Sequence, residues 1–284
     1  MCASVPFAMI LYVSRVVPLS LSLCLSISLS PSLSRAQASP LEAARQQFTP
    51  QVPPFLLGSV TKTIGKPTTC VANEDAIKKR FPTLFGSPMV ELKASKAGGA
   101  PSERAALRIG CVLSGGQASG GHNCICGLYD YVTKNFPGST IYGFLGGPKG
   151  VMTNTYKILD AATIDAHRNS GGFTMLASGR DKIETPEQFE KATHTARTNE
   201  LDGLVVIGGD DSNTNACLLA EHYAAAGLKC KVVGLPKTID GDLKNEHCET
   251  SFGFDTAAKL YSELVGNIMV SSSAKARAAA ALPP

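Results

Sequence analysis

Between residues 108 and 238, short apolar runs alternate with stretches of helical periodicity, and that alternation leaves few folds open. The runs "LRIGCVLSGG", "TIYGFLGG", "GGFTMLAS", "LDGLVVIGG" and "CKVVGLPKTID" read as buried strands that end in glycine or polar turns. Between them, "HNCICGLYDYVTKNF", "YKILDAATIDA", "PEQFEKATHTARTNE" and "NTNACLLAEHYAAAG" read as helices, with apolar residues recurring at three and four. Strands and helices taken by turns build βαβ units. The predicted fold class is therefore α/β, a Rossmann-like parallel sheet flanked by helices, with ligand loops at the C-terminal ends of the strands.

The rest of the chain reads differently. Residues 1–38 are rich in Ser and Leu, carry Arg15 and Arg35 as their charges, and end in an Ala-Gln-Ala that imitates a signal-peptidase site. They read either as a signal-like targeting segment or as a low-complexity extension. A membrane span is disfavoured, because Ser interrupts the apolar run and Pro18 sits inside it. Residues 39–107 form an accessory arm and linker: "FTPQVPPFLL" is extended, "NEDAIKKRFPTLFG" is a short helix stopped at Pro82, and "KASKAGGAPSERAA" is the linker. Residues 108–270 are the α/β domain, closing with the helix "DTAAKLYSELVGNIMV"; residues 271–284 are a divergent tail.

Composition excludes some functions. The net charge is +4, with 27 Lys+Arg against 23 Asp+Glu and no dense basic block, so no nucleic-acid partner is expected. Nine cysteines without paired CxxC motifs disfavour a zinc knuckle. Cys111, Cys217 and Cys230 lie in apolar surroundings and read as buried reduced thiols, which favours a reducing, cytoplasmic compartment.

Three loops follow predicted strands and carry the chemistry: "LSGGQASGGHN", "GGDDSNTN" and "PKTIDGDLKN". In the first, Gly115, Gly116, Gly120 and Gly121 let backbone approach an anion, as in a phosphate turn, or simply make a tight strand-to-helix connection. It is neither a dinucleotide fingerprint nor a P-loop. In the second, Asp210 is placed to give a carboxylate oxygen to Mg2+, whereas Ser212 reads best as a helix N-cap. In the third, Asp240 and Asp242 offer a base and an orienting group and Lys237 a point charge for phosphate; a surface turn is the bland alternative.

Together, "GGDDSNTNA" and "PKTIDGDLKN" resemble the pyrophosphate-dependent phosphofructokinases, and "SPLEAARQQFTPQVPP" with "EDAIKKRFPTLFGSP" resembles the arm of that family's long branch. The resemblance runs from about Ser39 to Val270 and implies the phosphofructokinase fold, with its second α/β domain missing here. It implies reversible phosphoryl transfer from pyrophosphate to the 1-hydroxyl of fructose 6-phosphate, with Mg2+ as cofactor, in a homo- or hetero-oligomer. By the same resemblance, Gly115 and Gly116 bind pyrophosphate and Asp210 holds the metal. Asp240 accepts the hydroxyl proton, and Lys237 stabilises charge on the pyrophosphate. Thr238 and Ile239 help to position the sugar, while Asp242, Arg180 and Lys182 lie near the phosphates.

The resemblance also implies that Asp211 stands where ATP-dependent relatives have glycine, and would occupy the place of the ATP α-phosphate. Its carboxylate would exclude the nucleotide by charge and bulk; two unit charges roughly 4 Å apart at an effective dielectric near 20 repel by about 4 kcal/mol. Two features depart from the family: Ser119 replaces a usual proline, and "SSSAKARAAAALPP" stands where a second domain would begin. Two alternatives stand beside this reading: a truncated, non-catalytic or regulatory subunit, which the short tail favours, and an ATP- or lipid-using kinase sharing the Gly-Gly-Asp turn, which Asp211 and "PKTIDGD" disfavour.

Overall fold

The structure is a computed structural model that describes residues 40–53, 56, 58, 60–94, 104–170, 173–243, 248 and 251–280. The signal-like segment 1–38 lies outside the described residues. The arm supplies α1 (Pro40–Gln46), β1 (Val60–Pro67), α2 (Glu74–Arg80) and β2 (Pro88–Ala94). The α/β unit follows with β3 (Arg108–Leu113), α3 (Gly121–Asn135), β4 (Thr140–Phe144), α4 (Pro148–Met152), β5 (Tyr156–Ile158) and α5 (Ala161–His167). It continues through α6 (Pro186–Thr198), β6 (Gly203–Gly208), α7 (Asp210–Ala225), β7 (Lys231–Thr238), β8 (Phe252–Gly253) and α8 (Phe254–Ala280).

Six strands form one sheet in the order β5-β4-β3-β6-β7-β8. β3 pairs in parallel with β4 and β6, and β7 in parallel with β6 and β8. Because β3 is central, both its faces are covered, which is why "RIGCVL" carries no polar residue after Arg108. Ile109, Cys111 and Leu113 pack against Ile125, Val132 and Ile164 of α3 and α5. Val112, Leu204 and Val206 face Ala192, Ala196, Leu219 and Tyr223 of α6 and α7 on the other side.

Three expectations need correction. The sheet is mixed, because "YKI" runs antiparallel to β4 as an edge strand and only the residues after it, from Ala161, are helical. The run "GGFTMLAS" is not a strand: residues 173–176 form turns, and its extended character survives as a single bridge between Ser114 and Gly179. The arm holds an antiparallel pair, β1 with β2, where the sequence showed an extended segment and one short helix. That pair went unread because both strands are largely exposed, so no alternation of buried residues marks them.

The arm is fastened to the back of α7. Glu221, only 9% exposed, accepts hydrogen bonds from the Thr83 amide (2.9 Å), the Leu84 amide (2.8 Å) and the Thr83 hydroxyl. Phe81 is buried beside this turn. At the other end of the chain the expected boundary at residue 270 falls inside α8, which runs on without a break to Ala280. From residue 258 to 275 every position of α8 is exposed, including Leu260, Leu264 and Ile268 along one face. Among the described residues no helix is long and apolar enough to cross a membrane.

Candidate active site

From β3 the chain moves outward to β4 and β5 on one side, then crosses to β6 and β7 on the other, so the order of strand addition reverses between the parallel neighbours β3 and β6. Crevices at such reversal points lie beyond the carboxyl ends of the strands. β3, β6 and β7 end in the three chemical loops, and these loops enclose an open cleft of about 460 Å³. Gly115, Gly116, Asp210, Asp211, Lys237, Thr238, Ile239, Asp240 and Arg180 all line it.

The loops are tied to each other. The Ser212 hydroxyl donates to that of Ser114 at 2.8 Å, and both residues are buried. Ser212 is therefore not the expected N-cap: Gly209 holds that position without a side-chain bond, and Ser212 joins the first loop to the second. Close approach requires Gly208, where a Cβ would lie 2.3 Å from that of Ser212 and 2.9 Å from the Ser114 carbonyl oxygen. The Asn213 side-chain Nδ2 donates to the Gly208 and Gly209 carbonyls, each at 2.8 Å. Asp210 and Asp211 occupy the first turn of α7, where the exposed amides and dipole of a helix favour negative charge.

Behind the first loop, residues 176–180 are stitched into the sheet edge. The Ser178 hydroxyl donates to the Gly115 carbonyl at 2.8 Å, and the Gly115 amide to the Gly179 carbonyl at 2.9 Å. The Gly146 amide donates to the Leu176 carbonyl at 2.9 Å. Backbones touch at Gly147 and Gly179, where a Cβ on the former would lie 2.3 Å from the latter's nitrogen. Gly120 and Gly121, expected at the anion, are absorbed by packing instead: a Cβ on each would press on Phe252 and on Leu113 and Phe173 respectively.

Lys237 is the unusual group of the cleft. It is 2% exposed, its ammonium donates to the Gly116 carbonyl, and it lies 5.1 Å from the centre of the Phe173 ring. Burial pushes its pKa below the ordinary lysine range, and the Arg180 guanidinium pushes the same way, against the Asp240 carboxylate. Arg180 stands over Gly116, its terminal nitrogen 3.0 Å from where a Cβ there would sit. The Thr238 hydroxyl accepts from the Asp240 amide at 3.1 Å, which fixes the turn that presents Asp240. Asp242 is set apart: it does not line the cleft, and burial followed by the charges of Asp210 and Asp240 raises its pKa.

Sequence reasoning passed over Asn215, one helical turn beyond Asp211, whose side chain also lines the cleft. Its spacing from Asp211 was the available signal. Phe173 gave none, since only the fold brings it to Lys237.

The magnesium ion that the resemblance implies meets a fitting donor set. Among the described residues no group of three or more His, Cys, Asp or Glu forms a cage. Magnesium is commonly held by one or two carboxylates, with water and substrate phosphates completing its octahedron. Asp210, exposed at the strand end and facing an anion-sized cleft, suits that arrangement. Of the cysteines expected as reduced thiols, Cys111 and Cys230 are buried and Cys217 partly so, and none of the three is in a disulfide.

The sequence pattern of the phosphofructokinase family matches residues 108–280. The pyrophosphate–fructose 6-phosphate 1-phosphotransferase subunit beta 1 of Arabidopsis thaliana is 52% identical over 241 residues, covering 84% of this chain and 42% of that protein. The subunit beta of Solanum tuberosum is 55% identical over 218 residues, covering 76% of this chain and 38% of that protein. The chain thus spans about two-fifths of the length of these relatives. Among solved structures, phosphofructokinase from Saccharomyces cerevisiae superposes with a TM-score of 0.50 at 20% identity, covering 60% of this chain and 22% of that one. With its strand-end cleft built from loops inside the matched range, the chain belongs to the phosphofructokinase family.

Proposed function

We propose that the cleft holds pyrophosphate with Mg2+ and serves the transfer of a phosphoryl group to the 1-hydroxyl of fructose 6-phosphate, releasing phosphate. The observation that carries this reading is the place of Asp211. It stands on the first turn of α7 and lines the cleft, where the family resemblance puts the α-phosphate of ATP in ATP-dependent relatives. The names of the Arabidopsis and Solanum relatives, both phosphotransferases of pyrophosphate, support the donor and the acceptor.

In this reading the chain positions groups rather than forming bonds to them, as suits phosphoryl transfer. The sugar oxygen attacks phosphorus as the bridging P–O bond of pyrophosphate breaks, and the hydroxyl proton passes to Asp240. Lys237, held by Gly116 and Phe173, stabilises charge on the leaving phosphate. Gly115 and Gly116 present backbone to the donor, Arg180 adds a planar cation above them, and Thr238 with Ile239 orients the acceptor. Asp210 would hold Mg2+, which when bound neutralises phosphate oxygens. Asp242, outside the cleft, adds negative charge near Asp210 and Asp240 rather than touching the donor. The subunit naming of the plant relatives supports assembly with further subunits, and buried free thiols suit a cytoplasmic setting.

The test is calorimetric titration of the purified chain with Mg2+ and either pyrophosphate or ATP, alongside assay of fructose 1,6-bisphosphate. Pyrophosphate is expected to bind and ATP not, with Asp211→Gly admitting ATP. Equal binding of both donors by the wild-type chain would overturn the reading.

A further inference from the structure

Asp211 brings a difficulty with it. A carboxylate placed to repel a nucleotide also repels pyrophosphate, because both reach the cleft as polyanions. Charge alone therefore cannot tell the two donors apart.

The structure places a cation on Asp211. The Lys182 ammonium is 3.3 Å from the Asp211 carboxylate, and both residues line the cleft. A surface pair of two long side chains would ordinarily mean little. Here the backbone beside Lys182 is pegged: the Asn215 side chain donates to the Ile183 carbonyl at 2.6 Å and accepts from the Ile183 amide at 3.1 Å. Asp211 and Asn215 are four apart on α7 and share a face, so one helix face fixes both the carboxylate and the loop segment that delivers its counter-charge. The other two cations of the cleft are engaged elsewhere, Lys237 with the Gly116 carbonyl and Arg180 above Gly116.

We infer that Lys182, set in register by Asn215, is the counter-charge that lets pyrophosphate bind beside Asp211. The paired groups fill the space of an α-phosphate while their charges offset each other. Exclusion then falls on the nucleotide, which needs that space, and not on pyrophosphate, which does not. Lys182 acts through Asp211 as a positioning and specificity-determining residue. This deepens the donor reading above and rests on it.

The experiment is a double-mutant cycle on the full chain, read as the dissociation constant of pyrophosphate with Mg2+. Lys182→Met should weaken binding about tenfold, from the uncovered carboxylate, and should still refuse ATP. Lys182→Arg, which keeps the charge, should stay within about threefold of wild type. In the Asp211→Gly background, the same Lys182→Met change should cost less than about threefold, because no carboxylate remains to be offset. Asn215→Ala should weaken pyrophosphate binding in the same direction and lose its effect in Asp211→Gly. An equal loss in both backgrounds would overturn the inference by making Lys182 a direct ligand of the donor. Unchanged binding in Lys182→Met would overturn it outright while leaving the donor reading intact. If the wild-type chain binds no pyrophosphate, the donor reading fails and this inference falls with it.

Discussion

Glu221→Ala should release the arm from the α/β unit without unfolding the sheet. The carboxylate is the acceptor for two backbone amides, Thr83 at 2.9 Å and Leu84 at 2.8 Å, and for the Thr83 hydroxyl. Truncation leaves those donors without a partner beside the buried Phe81 ring. A buried donor stripped of its acceptor costs about 1–3 kcal/mol. Thr83 is exposed, so water repairs most of the loss at its two donors and the cost rests mainly on the Leu84 amide, at about 2 kcal/mol. This corresponds to a roughly thirtyfold rise in local opening. Hydrogen exchange reads it directly: the Thr83 and Leu84 amides should lose about thirtyfold in protection, while those of Val205 and Val206 in β6 keep theirs. Glu221→Gln retains an oxygen for both amides and should lose less than about 1 kcal/mol. Unchanged protection at Thr83 and Leu84 in Glu221→Ala would refute the reasoning, as would a parallel fall in β6, which would show that arm and sheet open as one unit.

Gly208→Ala should destabilise the fold by about 1–3 kcal/mol through overpacking against Ser212 and should weaken donor binding, since the first turn of α7 must move; urea unfolding at wild-type midpoint would contradict it. For Lys237 the sign follows from burial: its pKa is lower in the fold than the ordinary 10.5, so the unfolded chain binds more protons between those two values. Stability of the wild type relative to Lys237→Met should therefore rise with pH up to about 10.5 and level off above it. A pH-independent difference between the two unfolding curves would refute the buried ammonium.

Legibility in the sequence followed burial. The central strands, covered on both faces, stood out as unbroken apolar runs, and the loops after them could be placed at one sheet edge before any coordinates. The strand expected in "GGFTMLAS" failed because its apolar residues serve the core as turns: Met175 and Leu176 are buried without belonging to a ladder. The exposed strands β1 and β2 gave no periodicity to read. At the cleft, Asp210, Asp211, Lys237 and Asp240 were singled out by their types and spacing just after the apolar runs of β6 and β7, and the fold brings all four to one cleft. Asn215 and Phe173 were not, because an asparagine inside a helix and a phenylalanine in an apolar run look like surface and core until the fold brings each to its partner. Ser212 misled in the opposite way, its cap-like position concealing a bond to Ser114 across the sheet.

The stitching behind the first loop bears on how a ligand is met. Residues 176–180 are bonded to β3 through Ser178 and Gly179 and to the end of β4 through Leu176, with backbone against backbone at Gly147. A donor entering the cleft thus finds its floor already in place, and little conformational freedom is lost there on association. The same stiffness means that residues 176–180 offer a fixed wall rather than one that moulds itself to what binds.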